Sequence, residues 1–277
     1  MLVTRSRLAR DLEKLGLGSG GVAMVHCRMS ALGWVVGGAE TVVRALLDAL
    51  GPDGTLMAYT GWQDEPPSDL DALDDEKRRI YQEEHPAYDP RVALACREHG
   101  RIPEVLRTWP GAHHSGHPEA GVAAVGPLAE ALTAEHPYDD AYGAGTPYAR
   151  LVDLGGEVVV LGAPLDTVTL VHHAEAVAEV TGKRRVNFGM PVILDGECLW
   201  RTFSDINTSE GALPYESVLG EEPYVEYIAR SAFAAGAGRS GPVGEGTAYL
   251  FDARRLVEYA VGWIERNFPT GGLGATR

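Results

Sequence analysis

Val22-Ala23-Met24-Val25-His26, the loop Cys27-Arg28-Met29-Ser30-Ala31-Leu32-Gly33-Trp34-Val35-Val36-Gly37-Gly38 and the segment Ala39 to Leu50 decide the fold class. The first run is apolar without polar alternation, as in a strand buried on both faces. In the third, Val42, Val43, Leu46, Leu47 and Leu50 recur at helical spacing, and Gly51-Pro52 supplies the stop. Gly54-Thr55-Leu56-Met57-Ala58-Tyr59 reads as a second strand. Strand, loop, helix, strand is a βαβ unit, so some parallel pairing is predicted.

Working outward, Thr4 is placed to cap a short helix whose Leu8, Leu12 and Leu15 share a face and which ends at Gly16 or Gly18. Residues 62–100 turn Pro- and acid-rich, with Asp64-Glu65-Pro66-Pro67 and many acids from Asp69 to Glu76, which predicts an irregular insertion with a short exposed helix. Gly126-Pro127 precedes a short helix ending near His136-Pro137, and Glu157 to Gly162 is a third buried strand. Asp166 or Thr167 then caps a helix running through Val180, with Gly182 beyond it. Val192 to Trp200 contains Asp195-Gly196, the signal for a tight hairpin turn, and Asp252 caps a last helix with Leu256, Val257, Ala260, Val261 and Ile264 as its stripe. The expected fold is therefore α/β, with a mixed central β-sheet flanked by helices, an irregular insertion and a small antiparallel hairpin region. No repeat or low-complexity linker divides the 277 residues, so a single domain over 1–277 is expected, with the acid-rich insertion at about 62–100.

Twenty-four Lys and Arg against 39 Asp and Glu give a net charge of −15. A nucleic-acid partner needs clustered basic residues, whereas this surface favours a cationic ligand. Cys27, Cys96 and Cys198 are scattered without a C-x-x-C pair, so neither a disulfide framework nor a cysteine-based zinc site is supported, and a reducing cytoplasm fits. The N-terminus soon becomes charged and no long apolar run follows, which predicts neither a signal peptide nor a membrane span.

Three constellations could carry chemistry. His172 and Glu175 are three apart on a predicted helix, so the carboxylate can orient the imidazole and stabilise its protonated form; the competing reading is a surface ion pair. His173 must point elsewhere around that helix. The loop from Ser30 to Gly38 could bring backbone N–H groups to an anion, although it matches neither G-x-G-x-x-G nor the Walker A pattern and also reads as a structural turn. His113-His114-Ser115-Gly116-His117 invites a zinc reading, but no H-E-x-x-H supports it and no metal is expected.

The chain resembles the aminoglycoside 3-N-acetyltransferases, the antibiotic N-acetyltransferase family, over almost its whole length. The resemblance rests on Val25-His26 with Ser30 to Gly38, on Gly51-Pro52-Asp53-Gly54-Thr55-Leu56 and on His114-Ser115-Gly116-His117-Pro118. It continues through Gly143-Ala144-Gly145-Thr146-Pro147-Tyr148-Ala149-Arg150-Leu151, Leu161-Gly162 with Asp166 and Thr169 to Glu175, and Leu250-Phe251-Asp252-Ala253-Arg254. It implies transfer of an acetyl group from acetyl-CoA to the 3-amino group of a 2-deoxystreptamine aminoglycoside, conferring resistance. It also implies that His172 sits at the reacting amine with Glu175 supporting it. The coenzyme would lie along Ser30, Ala31, Leu32, Gly33, Val35, Val36 and Gly37, with His114 and Ser115 nearby. His114 stands where Arg is frequent in the family, and Cys27 where Ser or Thr is frequent.

The physical reading runs the same way. A protonated amine has no lone pair, and His172 can accept its proton for direct attack in a ternary complex. Thr169, one turn earlier, is the candidate hydroxyl donor to the oxyanion. Substrate amines are expected to meet Asp64, Glu65 and Asp89, and also Asp205, which the resemblance of Phe203-Ser204-Asp205-Ile206-Asn207 to the family's acidic segment after the hairpin implies, with Trp62 as an apolar or cation–π wall and the insertion forming one side of the cleft. Glu175→Gln is expected to be milder than His172→Ala. A non-catalytic binding protein that sequesters a cation and a zinc-dependent hydrolase are the alternatives. The expected assembly is a monomer or homodimer.

Overall fold

A computed structural model describes residues 1–67 and 69–270. In chain order, β1 (Leu2–Val3) and α1 (Arg5–Leu15) precede β2 (Val22–Cys27), β3 (Trp34–Val35), α2 (Gly38–Leu50) and β4 (Thr55–Tyr59). There follow α3 (Asp75–Glu84), α4 (Ile102–Arg107), β5 (His113–His114), β6 (Val122–Val125), α5 (Ala129–Thr133), α6 (Pro147–Asp153) and β7 (Glu157–Leu161). Next come α7 (Leu170–Val177), β8 (Arg185–Leu194), β9 (Glu197–Ile206), α8 (Glu216–Leu219), α9 (Tyr224–Ala232), β10 (Gly238–Val243), β11 (Gly246–Asp252) and α10 (Ala253–Asn267).

Seven strands form the central sheet in the order β10-β11-β7-β2-β4-β6-β5. Its middle, β7-β2-β4, is parallel, with Met24 opposite both Val158 and Met57. The outer strands pair antiparallel, which makes the sheet mixed as expected. Met24 enters one apolar core with residues of α6, α7, α9 and α10, while Ala23 and Val25 enter a second with α1, α2 and α4. Burial on both faces is why β2 reads as an unbroken apolar run.

Local signals behave as their chemistry requires. The Thr4 hydroxyl accepts from the Arg7 N–H, and Gly16, at φ 99°, closes α1 in the left-handed region. Asp195 (φ 52°) and Gly196 (φ 85°) make the hairpin turn, which needs two successive positive φ values. The hairpin is longer than the turn signal suggested, pairing Arg185 with Ile206 through to Leu194 with Glu197.

The expected helix from Asp166 or Thr167 to Val180 is shorter. The Thr167 hydroxyl donates to the Pro164 carbonyl at 2.7 Å, closing a 3-10 turn instead of capping, and the α-helix begins at Leu170. It ends at Val177 because Ala178 turns extended, and Lys183 Nζ donates to the Ala176 carbonyl. The helix after Gly126-Pro127 likewise stops at Thr133, short of His136. Val261 is only half-buried on the stripe of α10.

The C-terminal ends of β7, β2 and β4 lie on one sheet edge, the edge at which open α/β sheets collect ligands. Gly162, just past β7, has φ 62°, and a Cβ there would lie 2.4 Å from that of Ala31. Only glycine lets the β7–α7 link pass so close to the Ser30 loop.

Candidate active site

A cleft of about 820 Å³ opens at this edge. His26 and Tyr59 lie on its floor at the ends of β2 and β4, and His172 and Thr169 stand on its wall from the start of α7. The acid-rich segment supplies Trp62, Glu65, Glu98 and His99, so the insertion does form a side of the cleft.

The His172–Glu175 pair is built by helix geometry and fixed by burial. His172 Nδ1 lies 2.7 Å from Glu175 Oε2. A carboxylate can only accept there, so the Nδ1 proton points at it and the Nε2 lone pair is left over. Glu175 is fully buried, and each oxygen is supplied with donors: Oε1 by the Ala212 N–H and the Tyr215 hydroxyl, both at 3.0 Å, and Oε2 by His172 and the Tyr224 hydroxyl at 3.2 Å. Such donors are what a buried carboxylate needs in order to stay charged. The pair is thus not a surface ion pair. His173 turns inward, its Nδ1 donating to the Tyr142 carbonyl at 2.6 Å.

Two charge characters meet in the cleft. Glu65, Glu98, Glu119 and Asp166 line it, and so do Arg28 and Arg101. Burial pushes the Glu119 carboxyl up to about 8, helped by the charges of Asp205 and Glu65, and its Oε2 is buried without a partner. On the floor, burial and the neighbouring His99 push His26 down to about 4, so its ring is neutral, and its Nε2 too lacks a partner.

The position of Glu119 gives a stability expectation. Its folded pKa is raised from an ordinary 4.5, so the protonated form is favoured in the fold. That contribution is complete below the ordinary value and is lost as pH rises through about 8. Glu119→Gln keeps a neutral group at every pH. Its Tm is therefore expected to match that of the natural protein at acidic pH and to exceed it progressively towards pH 8, measured by calorimetry. A constant difference across that window contradicts the raised titration.

The structure regroups the other expected residues. Asp205 is not a surface acid: it is 1% exposed, and its oxygens accept the Ala141 and Ile206 N–H groups. Asp89 is paired with Arg91 and, like Asp64, does not line the cleft. Of the loop residues Ser30, Ala31, Leu32, Gly33, Val35, Val36 and Gly37, only Ser30 reaches it. Leu32 and Val35 are core, and Val36 and Gly37 border a separate apolar hollow with Met1, Leu2 and Trp34. Ser115 is fully buried, its hydroxyl accepting the Val122 N–H and meeting His136 Nδ1 at 2.9 Å. His114 Nε2 donates to the Arg107 carbonyl, outside the cleft.

The histidine cluster does not converge, because His113 is exposed while the His117 Nδ1 accepts the Ala120 N–H. Among the described residues no three His, Cys, Asp or Glu side chains gather as a metal would require. Burial pushes the Cys27 thiol up to about 12, which keeps it protonated and a poor nucleophile. No described helix is long and apolar enough to cross a membrane.

A family model described as aminoglycoside 3-N-acetyltransferase matches residues 24–265. The chain belongs to that family. Aminoglycoside N(3)-acetyltransferase VII of Streptomyces paromomycinus is 50% identical over 265 residues, covering 95% of this chain and 92% of that protein. The crystal structure of aminoglycoside acetyltransferase AAC(3)-Xa is similar with a TM-score of 0.94 at 48% identity, over 96% of this chain and 94% of that one. The structure of AAC-IIIb as a binary complex with CoASH gives a TM-score of 0.89 at 39% identity, over 99% and 100%. As a member of the aminoglycoside 3-N-acetyltransferase family the chain is an acyltransferase, and the coenzyme A in that relative agrees with acetyl-CoA as its co-substrate.

Sequence reasoning missed Tyr142, Tyr215, Tyr224, Glu98 and Glu119 at this site. Tyr215 and Tyr224 lie 40 and 49 positions from Glu175, so no local spacing connects them to it. Glu119 directly follows His117-Pro118, and that neighbourhood was the one available signal.

Proposed function

We propose that the chain acetylates the 3-amino group of a 2-deoxystreptamine aminoglycoside with acetyl-CoA, by direct attack in a ternary complex, with His172 as general base. The observation that supports this most is the 2.7 Å Nδ1 contact to a buried, fully bonded Glu175, which leaves Nε2 as the basic atom at the cleft. The substrate ammonium first gives one proton to solvent, and His172 Nε2 takes a second from the nitrogen as its lone pair bonds to the thioester carbonyl carbon. The C–S bond then breaks, and the proton held on Nε2 passes to the departing thiolate, leaving an amide and coenzyme A. Thr169 is offered as a hydroxyl donor to the oxyanion, since among the described residues its only partner is the distant Thr167 carbonyl at 3.5 Å.

The opposite charges lining the cleft support different partners for the two ligands. Substrate ammonium groups would pair with Glu65, Glu98, Glu119 and Asp166, with Trp62 as an apolar wall, in place of the expected Asp64, Asp89 and Asp205. An ammonium beside Glu119 restores the charged carboxylate that burial disfavours. Coenzyme phosphates would meet Arg28 and Arg101 near Ser30. The reaction would take place in a reducing cytoplasm, which suits three free cysteines.

Incubation with acetyl-CoA and a panel of aminoglycosides, followed by mass spectrometry and NMR of the products, tests the reading. Acetylation confined to the amine at position 3 is expected. Tight drug binding without any product would replace the reading with sequestration.

A further inference from the structure

Glu175 is held by more than the histidine it serves. Tyr215 and Tyr224 lie face to face, centroids 4.1 Å apart and planes 5° from parallel, so that each hydroxyl reaches one carboxylate oxygen. Both phenols are pushed up by burial, which keeps them protonated and therefore donors. The Tyr224 hydroxyl also lies 3.1 Å from the Thr208 carbonyl and 3.4 Å from His172 Nδ1. Since Nδ1 already carries a proton, the hydroxyl's single proton is shared between Glu175 and Thr208, and Thr208 lines the cleft.

We propose that Tyr215 and Tyr224 are positioning residues that set the basicity of His172 by loading Glu175 with hydrogen bonds. This rests on the general-base reading of His172. Each donor spreads the charge of the carboxylate and competes with the imidazole for it. A carboxylate stripped of one donor holds the Nδ1 proton more strongly and favours the imidazolium, so His172 then titrates at higher pH.

Other groups face this pair. Tyr142 sets its ring against His172 at 5.4 Å, edge to face, and feels the charge of Glu119; Asp166 shares the cleft wall. Lys183, anchored on the Ala176 carbonyl after α7, is within the influence of Glu175. Among the described residues none of these donates a hydrogen bond to Glu175, so none takes over when a phenol is removed.

The experiment is an NMR titration of the His172 ring in the free protein, assigned by loss of its signals in His172→Asn, for the natural chain, Tyr224→Phe, Tyr215→Phe and the double variant. Expected are midpoints higher by about half a pH unit or more in each single variant and higher again in the double one. The acid limb of kcat/KM is expected to move with them, while KM for acetyl-CoA stays constant. Midpoints that stay still or fall in folded variants overturn the proposal, even if activity drops. If Tyr224→Phe does not fold, Tyr215→Phe reads the same effect through the other oxygen. The titration needs no turnover, so it stands apart from the general-base reading, which His172→Ala tests by itself.

Discussion

His172→Ala is expected to lower kcat/KM by on the order of 10²–10⁴, the usual contribution of a positioned general base, while coenzyme binding is retained. The ring is the one element of the buried pair that reaches the cleft, and alanine removes the Nε2 that would take the amine's proton. Steady-state kinetics over pH 6–8 check this, with His173→Ala as the comparison. His173 does not line the cleft and donates to the carbonyl of Tyr142, so its loss should appear mainly in stability, by about 1 kcal/mol, with turnover far less affected than in His172→Ala. Near-normal turnover in His172→Ala removes the base from the mechanism.

Glu175→Gln is expected to approach the same loss, larger than charge removal alone suggests. A carboxylate accepts on both oxygens, and here both oxygens face donors. An amide must turn its NH₂ towards one side. Facing Ala212 and Tyr215 it meets the Ala212 N–H, a fixed backbone donor; facing His172 and Tyr224 it meets groups that can become acceptors. The second orientation is the favoured one, and it moves the imidazole proton from Nδ1 to Nε2, so the atom at the cleft becomes a donor with no lone pair. A wrong tautomer of this kind costs on the order of 10⁴ in kcat where a histidine base depends on its carboxylate. The donors around Glu175 thus narrow the gap expected from spacing, in which Glu175→Gln is the mild variant. Ring nitrogen shifts of His172 in Glu175→Gln check the tautomer, and an unchanged Nδ1–H form with high activity contradicts it.

The parts of the fold that could be read in the sequence are those whose signals are local. β2, α2 and β4 were legible because burial on both sheet faces and a helical stripe each leave a periodic trace. The hairpin was legible at its turn, where Asp195 and Gly196 take positive φ, though not along its full length. β10 was not, since Gly238, Gly241 and Pro242 deny it a strand's pattern; an edge strand tolerates them because one side of its backbone is unpaired.

The site divides in the same way. His172 and Glu175 share a helix face and announce each other by spacing. The acids expected to meet the substrate do not: Asp205 and Glu65 look equivalent in sequence, yet one caps two buried N–H groups while the other stands on the cleft. Tyr224 at the start of α9 and Tyr215 just before α8 reach Glu175 only through the packing of their segments with α7 around one core.

In the proposed reaction the acetyl group passes directly to the amine while the His172 Nε2 holds its proton. A rapid-quench single turnover with excess enzyme, acetyl-CoA and a 2-deoxystreptamine aminoglycoside, followed by mass analysis of protein and drug together, tests it most directly. Acetylated drug is expected to rise as acetyl-CoA is lost, with the protein unmodified at every time point and product formation collapsing in His172→Ala. An acetylated protein that forms and decays at the rate of product appearance would contradict it.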